Sequence, residues 1–307
     1  MRKTMIACAA ALLLFPRLNA QTDSIPPTSD DTAAVITDTL FVDTIPVVSY
    51  RATDISAPKP PVYKLKPLID FPLTAVNTAW TLYAFTQIYS KPSSNPEDVL
   101  SLDRNDINKF DRWAVRPYSP HLDKISYIPF QAAMPLPLAF LIFKNTRKDF
   151  FKLTFLYLEA MSITGLLYTA STYFNDRYRP YVYSPGTEMS QRINGGGKNS
   201  FYAGHPALVA TSVFFMAKVF ADYNPDSKFK WVGYTLAGGI TAYTGYLRHR
   251  GGMHFPSDLL IGLTQGTLTG ILVPHFHKHK IIKDPNLSLL PYTNGFNHGL
   301  ALVYKLK

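Results

Sequence analysis

The chain has 307 residues, 47% of them hydrophobic, one cysteine and a formal net charge of +10. One cysteine excludes an internal disulfide framework. A mean hydropathy of −0.01 excludes a uniformly apolar polypeptide, and an export sequence at the N-terminus argues against nucleic acid as the reason for the basic excess.

Met1-Arg2-Lys3, the apolar stretch Met5 to Phe15 and Leu18-Asn19-Ala20 read as a secretory signal peptide, residues 1–20, cleaved after Ala20. Cys8 lies too early in the apolar stretch for a lipoprotein signal, so the mature chain has no cysteine. Residues 21–66, rich in Thr, Asp, Pro, Ser and Val, read as an extended exported linker. From about residue 68 the composition turns aromatic and aliphatic. The expectation is an all-α, membrane-associated bundle over residues 67–283, with six main helices at roughly 70–89, 126–143, 149–174, 206–222, 230–247 and 256–273. Asp103 to Arg116, with mixed charges around Ile107, Phe110, Trp113 and Val115, reads as an amphipathic surface helix. Gly195-Gly196-Gly197 lacks the strand and the Lys-Ser/Thr of a phosphate cradle and reads as a flexible loop. His275, His277 and His279, interleaved with lysines, are a conceivable metal tract, but a solvated basic helix end is the favoured reading. Residues 284–307 carry two apolar runs around Asn294-Gly295 and predict a short β-hairpin tail.

Three segments carry chemistry. Arg248-His-Arg-Gly-Gly-Met-His254-Phe-Pro-Ser-Asp258 sets an arginine six residues before a histidine and an aspartate four after it. If a helix begins at His254, the imidazole and carboxylate share a face, and the carboxylate can hold the ring in one tautomer. Asp176-Arg177-Tyr178-Arg179-Pro180 supplies a forked guanidinium suited to phosphate. Ser200-Phe201-Tyr202-Ala203-Gly204-His205-Pro206 leads into an apolar helix, with Gly204 permitting close backbone approach. His205 at that helix mouth is placed to protonate a leaving alkoxide.

These segments resemble the signature of the type 2 phosphatidic acid phosphatase superfamily, which includes lipid phosphatases, class A acid phosphatases and vanadium haloperoxidases. Arg179-Pro180, Gly204-His205 and Arg248…His254…Asp258 match the family motifs in order and spacing. The resemblance implies that His254 is a nucleophile forming phosphohistidine and that Asp258 orients it. It further implies that His205 is the acid and then the base, and that Arg179, Arg248 and the backbone N–H of Gly204 bind phosphate. No cofactor is implied, because the arginines supply the positive charge that a metal would provide.

The chain departs from the pattern at three places: Thr172 stands where the family lysine falls, Tyr202-Ala203 replaces Pro-Ser, and Leu247 replaces the serine before the third-motif arginine. Arg177 or Lys198 could compensate. The expected activity is metal-independent hydrolysis of a phosphomonoester or pyrophosphate on an envelope lipid. Candidate substrates are lipid A, undecaprenyl pyrophosphate, phosphatidic acid and phosphatidylglycerol phosphate. The partners are this phosphorylated lipid and the membrane, with no nucleic acid and no obligatory protein. Alternatives are a vanadium-dependent haloperoxidase and a catalytically weakened lipid-binding envelope protein.

Lysine and arginine clusters at 144–152, 228–230 and 278–283 belong to one end of an alternating bundle, which places the catalytic end in the periplasm. A cleaved signal peptide followed by six full crossings would place it in the cytoplasm. The export signal takes precedence here. The expectation is an exported, inner-membrane or periplasmic protein whose active site faces the periplasm, with the first helix not crossing or the bundle largely non-spanning.

Overall fold

The computed structural model describes residues 61–278, together with the backbone of 287–293 and 298–304. The expected signal peptide and residues 21–60 of the expected linker lie outside the described residues. Nine α-helices occur among the described residues: α1 (Pro67–Tyr89), α2 (Pro96–Leu100), α3 (Pro120–Ala133), α4 (Lys144–Arg147), α5 (Phe150–Tyr173), α6 (Met189–Arg192), α7 (Gly204–Tyr223), α8 (Lys230–Arg250) and α9 (Pro256–His277). The all-helical expectation holds for residues 61–278. Beyond them, β1 (Leu287–Thr293) and β2 (His298–Tyr304) pair antiparallel, with Leu287 opposite Tyr304. The Asn294-Gly295 turn expected between them lies outside the described residues.

Five of the six expected helices are α1, α5, α7, α8 and α9. The sixth is corrected. The helix expected at 126–143 is α3, ending at Ala133, followed by a 3₁₀ stretch Leu136–Leu141. Pro135 and Pro137 lack the N–H groups that a continuing α-helix needs. The surface helix expected over 103–116 is also absent; short 3₁₀ turns at Arg104–Asp106 and Arg112–Ala114 stand there instead. Asp103 and Asn108 accept hydrogen bonds from the backbone N–H groups of Asn105 and Asp111, giving this backbone a local alternative to helix.

α7 forms the centre, packing against α5, α8 and α9. Its contact with α9 is close because Gly262, Gly266 and Gly270 meet Ala203, Ala207 and Thr211. A glycine at every fourth position lets two backbones approach where hydrocarbon offers no hydrophobic drive. Interhelical hydroxyl bonds add to this packing: Thr164 to Thr211 at 2.7 Å, and Tyr157 to Ser212 at 2.9 Å.

α1 is polar inside and apolar outside. Asp70, Thr74 and Asn77 are buried, whereas Leu68, Ile69, Phe71 and Val76 are exposed. A water-soluble helix shows the reverse pattern. α8 likewise exposes Trp231, Leu236 and Ile240, and α9 exposes Leu260, Leu268 and Phe276. An exposed apolar surface of this extent fits contact with lipid. Among the described residues three helices, α5, α7 and α9, are long and apolar enough to cross a membrane.

The glycine stripe gives a test. In Gly266→Ala the new Cβ would lie 2.1 Å from the Ala207 carbonyl oxygen. The expected loss is about 1–3 kcal/mol, as for other overpacked contacts, seen as a lowered melting temperature in detergent. Gly239→Ala meets nothing within 4 Å and is expected to be neutral or stabilising by up to about 1 kcal/mol through helix propensity.

Candidate active site

The three motif segments meet where α5 ends and where α7 and α9 begin. Residues 176–179 run beside 197–200: the Arg179 N–H donates to the Gly197 carbonyl at 2.8 Å, and the Ser200 N–H donates to the Arg177 carbonyl at 3.0 Å. The Gly195–Lys198 segment, expected as a flexible loop, is an ordered 3₁₀ turn that holds Arg179 in place. A Cβ at Gly195 would strike the Lys91 carbonyl oxygen at 1.9 Å, so no larger residue fits there. Gly252 has φ +75°, and its carbonyl accepts the Tyr181 N–H at 3.1 Å. That left-handed turn joins α8 to the His254 segment and favours glycine.

His254 is buried, and its Nδ1 lies 2.8 Å from the Ser200 carbonyl oxygen. A carbonyl only accepts, so Nδ1 carries the proton and Nε2 of the neutral ring carries the lone pair. Burial, and then the charges of Arg179 and Arg248, push the His254 imidazole well below its ordinary pKa; the bond to Ser200 acts the other way. The ring is therefore neutral at physiological pH.

Asp258 does not touch the imidazole, which corrects the expected direct contact. α9 begins at Pro256, not at His254, so the two residues do not share a helical face. Asp258 is the third helical residue, and its Oδ2 turns back to accept the Phe255 N–H at 2.9 Å and the Ser200 hydroxyl at 2.6 Å. Its Oδ1 accepts from Arg177. The carboxylate thus acts on the segment that holds His254, through Ser200.

Arg177 is not a spare phosphate ligand. Its guanidinium also donates to Asp111 at 2.7 Å and to Ser257 at 2.9 Å, and lies over the Phe255 ring at 4.7 Å. Lys198 donates to the Pro92 carbonyl. Arg177 is thus committed to two carboxylates, while Lys198 is directed toward Pro92. Thr172 itself is buried, its hydroxyl donating to the Tyr168 and Phe201 carbonyls. Lys91 donates to the Thr172 carbonyl at 2.7 Å and to Asp176 at 2.6 Å.

Arg179 and Arg248 are both buried, and each leaves its Nε without a hydrogen-bond partner among the described residues. Arg248 is steadied by Asp123 and by Ser126 at 3.1 Å, and Arg179 reaches the Met253 sulfur at 3.5 Å. A buried charged donor without a partner is costly, so the pair is disposed toward an anion. α7 begins at Gly204 with Ala203 before it, which offers no side-chain cap. Its first N–H groups and positive dipole end are open to the same ligand. A Cβ at Gly204 would lie 2.5 Å from the Tyr168 ring, which explains the glycine. His205 is half-buried, its ring 4.7 Å from Tyr127 and 4.9 Å from Phe130. Both guanidiniums lie within electrostatic reach of both imidazoles. The sites expected at Arg179, Gly204, His205, Arg248 and His254 therefore gather at one place.

Sequence reading missed Asp111, Ser200, Asp123 and a set of tyrosines. Tyr89, Tyr127 and Tyr168 lie within electrostatic reach of Arg179 and Arg248. Asp111 is fully buried; burial alone would raise its carboxyl, but bonds from Ser257, Asn108 and Arg177 hold it below the usual carboxylate range. No local signal marks Asp111, Ser200 and Asp123, because their partners in the site are 54 to 146 positions away in sequence.

Residues 153–282 match the family model of the PAP2 superfamily. That span includes every expected site residue, and the resemblance carried by the three motifs is borne out. The chain is also similar to the crystal structure of the first transmembrane PAP2 type phosphatidylglycerolphosphate phosphatase from Bacillus subtilis. Identity is 21%, over 66% of this chain and 94% of that chain, with a TM-score of 0.39. No curated protein matches the chain.

Arg177→Gln is expected to destabilise the fold by about 3–5 kcal/mol, because it leaves two buried carboxylates facing each other. Adding Asp111→Asn should recover part of that loss in unfolding measurements. The stability tied to Asp111 is present above the ordinary carboxylate pKa of about 3.9 and is lost as pH falls through its lower folded value.

Proposed function

We propose that the protein is a phosphatase acting on a phosphorylated lipid through a phosphohistidine intermediate. One observation carries the reading: two buried guanidiniums, whose Nε groups have no partner among the described residues, lie within electrostatic reach of a neutral imidazole that bonds through Nδ1 and leaves its Nε2 lone pair for the substrate. Nε2 of His254 attacks phosphorus, and the bond from phosphorus to the leaving oxygen breaks. His205, entering the step as the imidazolium, delivers its proton to that oxygen and is left neutral. Water then attacks the phosphohistidine, His205 takes the water's proton, and phosphate leaves as the phosphorus–nitrogen bond breaks. Arg179, Arg248 and the Gly204 N–H hold the non-bridging oxygens, a role that needs no metal. Asp258 acts as a positioning residue through Ser200. Tyr89, Tyr127 and Tyr168, within electrostatic reach of Arg179 and Arg248, are the candidates to supply donors in place of the family lysine and serines.

An apolar groove of about 660 Å³ between α5 and α9 supports a lipid substrate; it runs from Leu260, just past Asp258, to Phe276. The three apolar helices support a membrane protein. Basic residues support an orientation with the site in the periplasm. Lys144 and Arg147 bound α4 just before α5, Lys152 lies in the first turn of α5, Lys228 and Lys230 lie at the start of α8, and Lys278 follows the end of α9, all opposite the site.

The departures at Thr172, Ala203 and Leu247 favour a second reading, a lipid-binding protein with weakened turnover. The deciding experiment is phosphate release by purified protein in detergent across phosphatidic acid, phosphatidylglycerol phosphate, undecaprenyl pyrophosphate, lipid A and an aryl phosphate. Halide oxidation with added vanadate is run in parallel. Phosphate is expected from at least one lipid, and His254→Ala is expected to abolish it with melting unchanged; undiminished release would reject the nucleophile. Lipid binding without turnover would favour the second reading. Arg248→Lys, which loses forked geometry, should slow turnover by about a hundred- to a thousand-fold.

The pH dependence follows from the depressed His254 imidazole. A neutral nucleophile persists below the ordinary histidine pKa and is lost only as pH falls through the lower value. The acid limb of kcat/KM should therefore lie well below about 6.5.

A further inference from the structure

His277, at the far end of α9, is not a solvated residue as its sequence context suggested. It sits between Asp70 of α1 and Glu159 of α5, both buried. Its Nε2 is 3.3 Å from Asp70 Oδ2 and 3.5 Å from Glu159 Oε2, and one ligand atom from each of the three residues falls within 4.8 Å of the others. Glu159 Oε2 is fully buried and has no hydrogen-bond partner among the described residues.

The geometry points to a divalent metal site formed by Asp70, Glu159 and His277, with zinc as the ion that fits it best. The distances argue against simple ion pairing. Charge-assisted hydrogen bonds lie at about 2.7–2.9 Å, shorter than either contact here. Around a tetrahedral zinc with bonds of about 2.0–2.2 Å, neighbouring ligand atoms lie about 3.3–3.6 Å apart. Both observed separations fall in that interval. The imidazole is also oriented as a ligand. Its Nδ1 lies 2.8 Å from the Val273 carbonyl, so Nδ1 carries the proton and the Nε2 lone pair faces the carboxylates. Two carboxylates facing a lone pair repel one another and it unless a cation lies between them. Asp70 is in turn held by the Lys66 N–H. One imidazole and two carboxylates suit zinc, with manganese as the harder alternative.

The site would join three helices remote in sequence. α1 exposes apolar residues and buries polar ones, and the segment before it is tied to the end of α9 by the Lys64 N–H on the His277 carbonyl at 2.8 Å. A metal here would fasten α1 to α5 and α9. At about 1.5 Å per residue, α9 separates it from His254 by about 30 Å, so its role is structural. The inference does not depend on the phosphatase reading.

The test uses the full chain, tag-free, purified in detergent and dialysed against micromolar zinc or manganese. Elemental analysis is expected to find one equivalent of zinc per chain. Zinc should raise the melting temperature by several degrees, and EDTA should reverse the rise. Glu159→Gln, Asp70→Asn and His277→Gln should each lose the bound zinc and the shift, whereas His275→Gln keeps both. Phosphate release by Glu159→Gln should stay within about twofold of wild type. Wild-type protein that binds neither ion, with melting indifferent to zinc and EDTA, would overturn the proposal in favour of an imidazolium paired with two carboxylates. Zinc retained at full stoichiometry by all three variants would overturn it equally.

Discussion

The candidate site depends on a run of polar contacts from Asp111 through Arg177 and Asp258 to Ser200 and His254. Each member satisfies the next in a place where water is scarce, so removing one strands another. The run crosses four stretches of chain and determines which imidazole nitrogen is free. An aspartate in direct contact would fix the same tautomer. Here a backbone carbonyl does so, and the carboxylate secures the carbonyl's residue instead. Arg177 balances the Asp111 and Asp258 carboxylates, Arg248 is paired with Asp123, and Arg179 has no carboxylate partner among the described residues.

That arrangement needs a rigid support, and the bundle provides it by close backbone contact together with a buried cluster that includes Leu153, Leu156, Tyr157, Phe215 and Val219. Glycines of α9 lie on small residues of α7, while hydroxyls and amides bridge α5, α7 and α9. Many other large apolar side chains, on α1, α8 and α9 above all, face outward. This inverted distribution is suited to a hydrocarbon surround, where burying leucine offers little and satisfying polar groups offers more. It also explains why α1 carries aspartate and asparagine on its inner face.

The two ends of the domain differ in character. One end gathers guanidiniums, imidazoles and an uncapped helix start around a place for an anion. The other collects lysines on the surface and, beneath them, two carboxylates and an imidazole suited to a cation. A second polar cluster lies near it, where Asp222 is bound by Tyr63, Lys218 and Lys278. Both clusters hold the approach to α1 against the ends of α7 and α9.

The helices and the three motifs were legible from the chain because periodicity, proline and glycine act over a few residues. α5, α7 and α9 are long apolar runs, and Pro256 marks a helix start within the first turn. Arg179, Gly204, His205, Arg248 and His254 could be named because each sits in a short pattern of fixed spacing. Breaks such as Pro135 and the turns at 103–116 were misjudged, since local hydrogen bonding by Asp103 and Asn108 overrode an amphipathic pattern. What spacing could not decide was who bonds to whom. The Ser200 carbonyl on His254, Arg177 committed to carboxylates, and Asp70 and Glu159 closing on His277 all join residues tens to hundreds of positions apart. Such contacts follow from helix packing, and only the folded chain determines which polar groups are left unpaired.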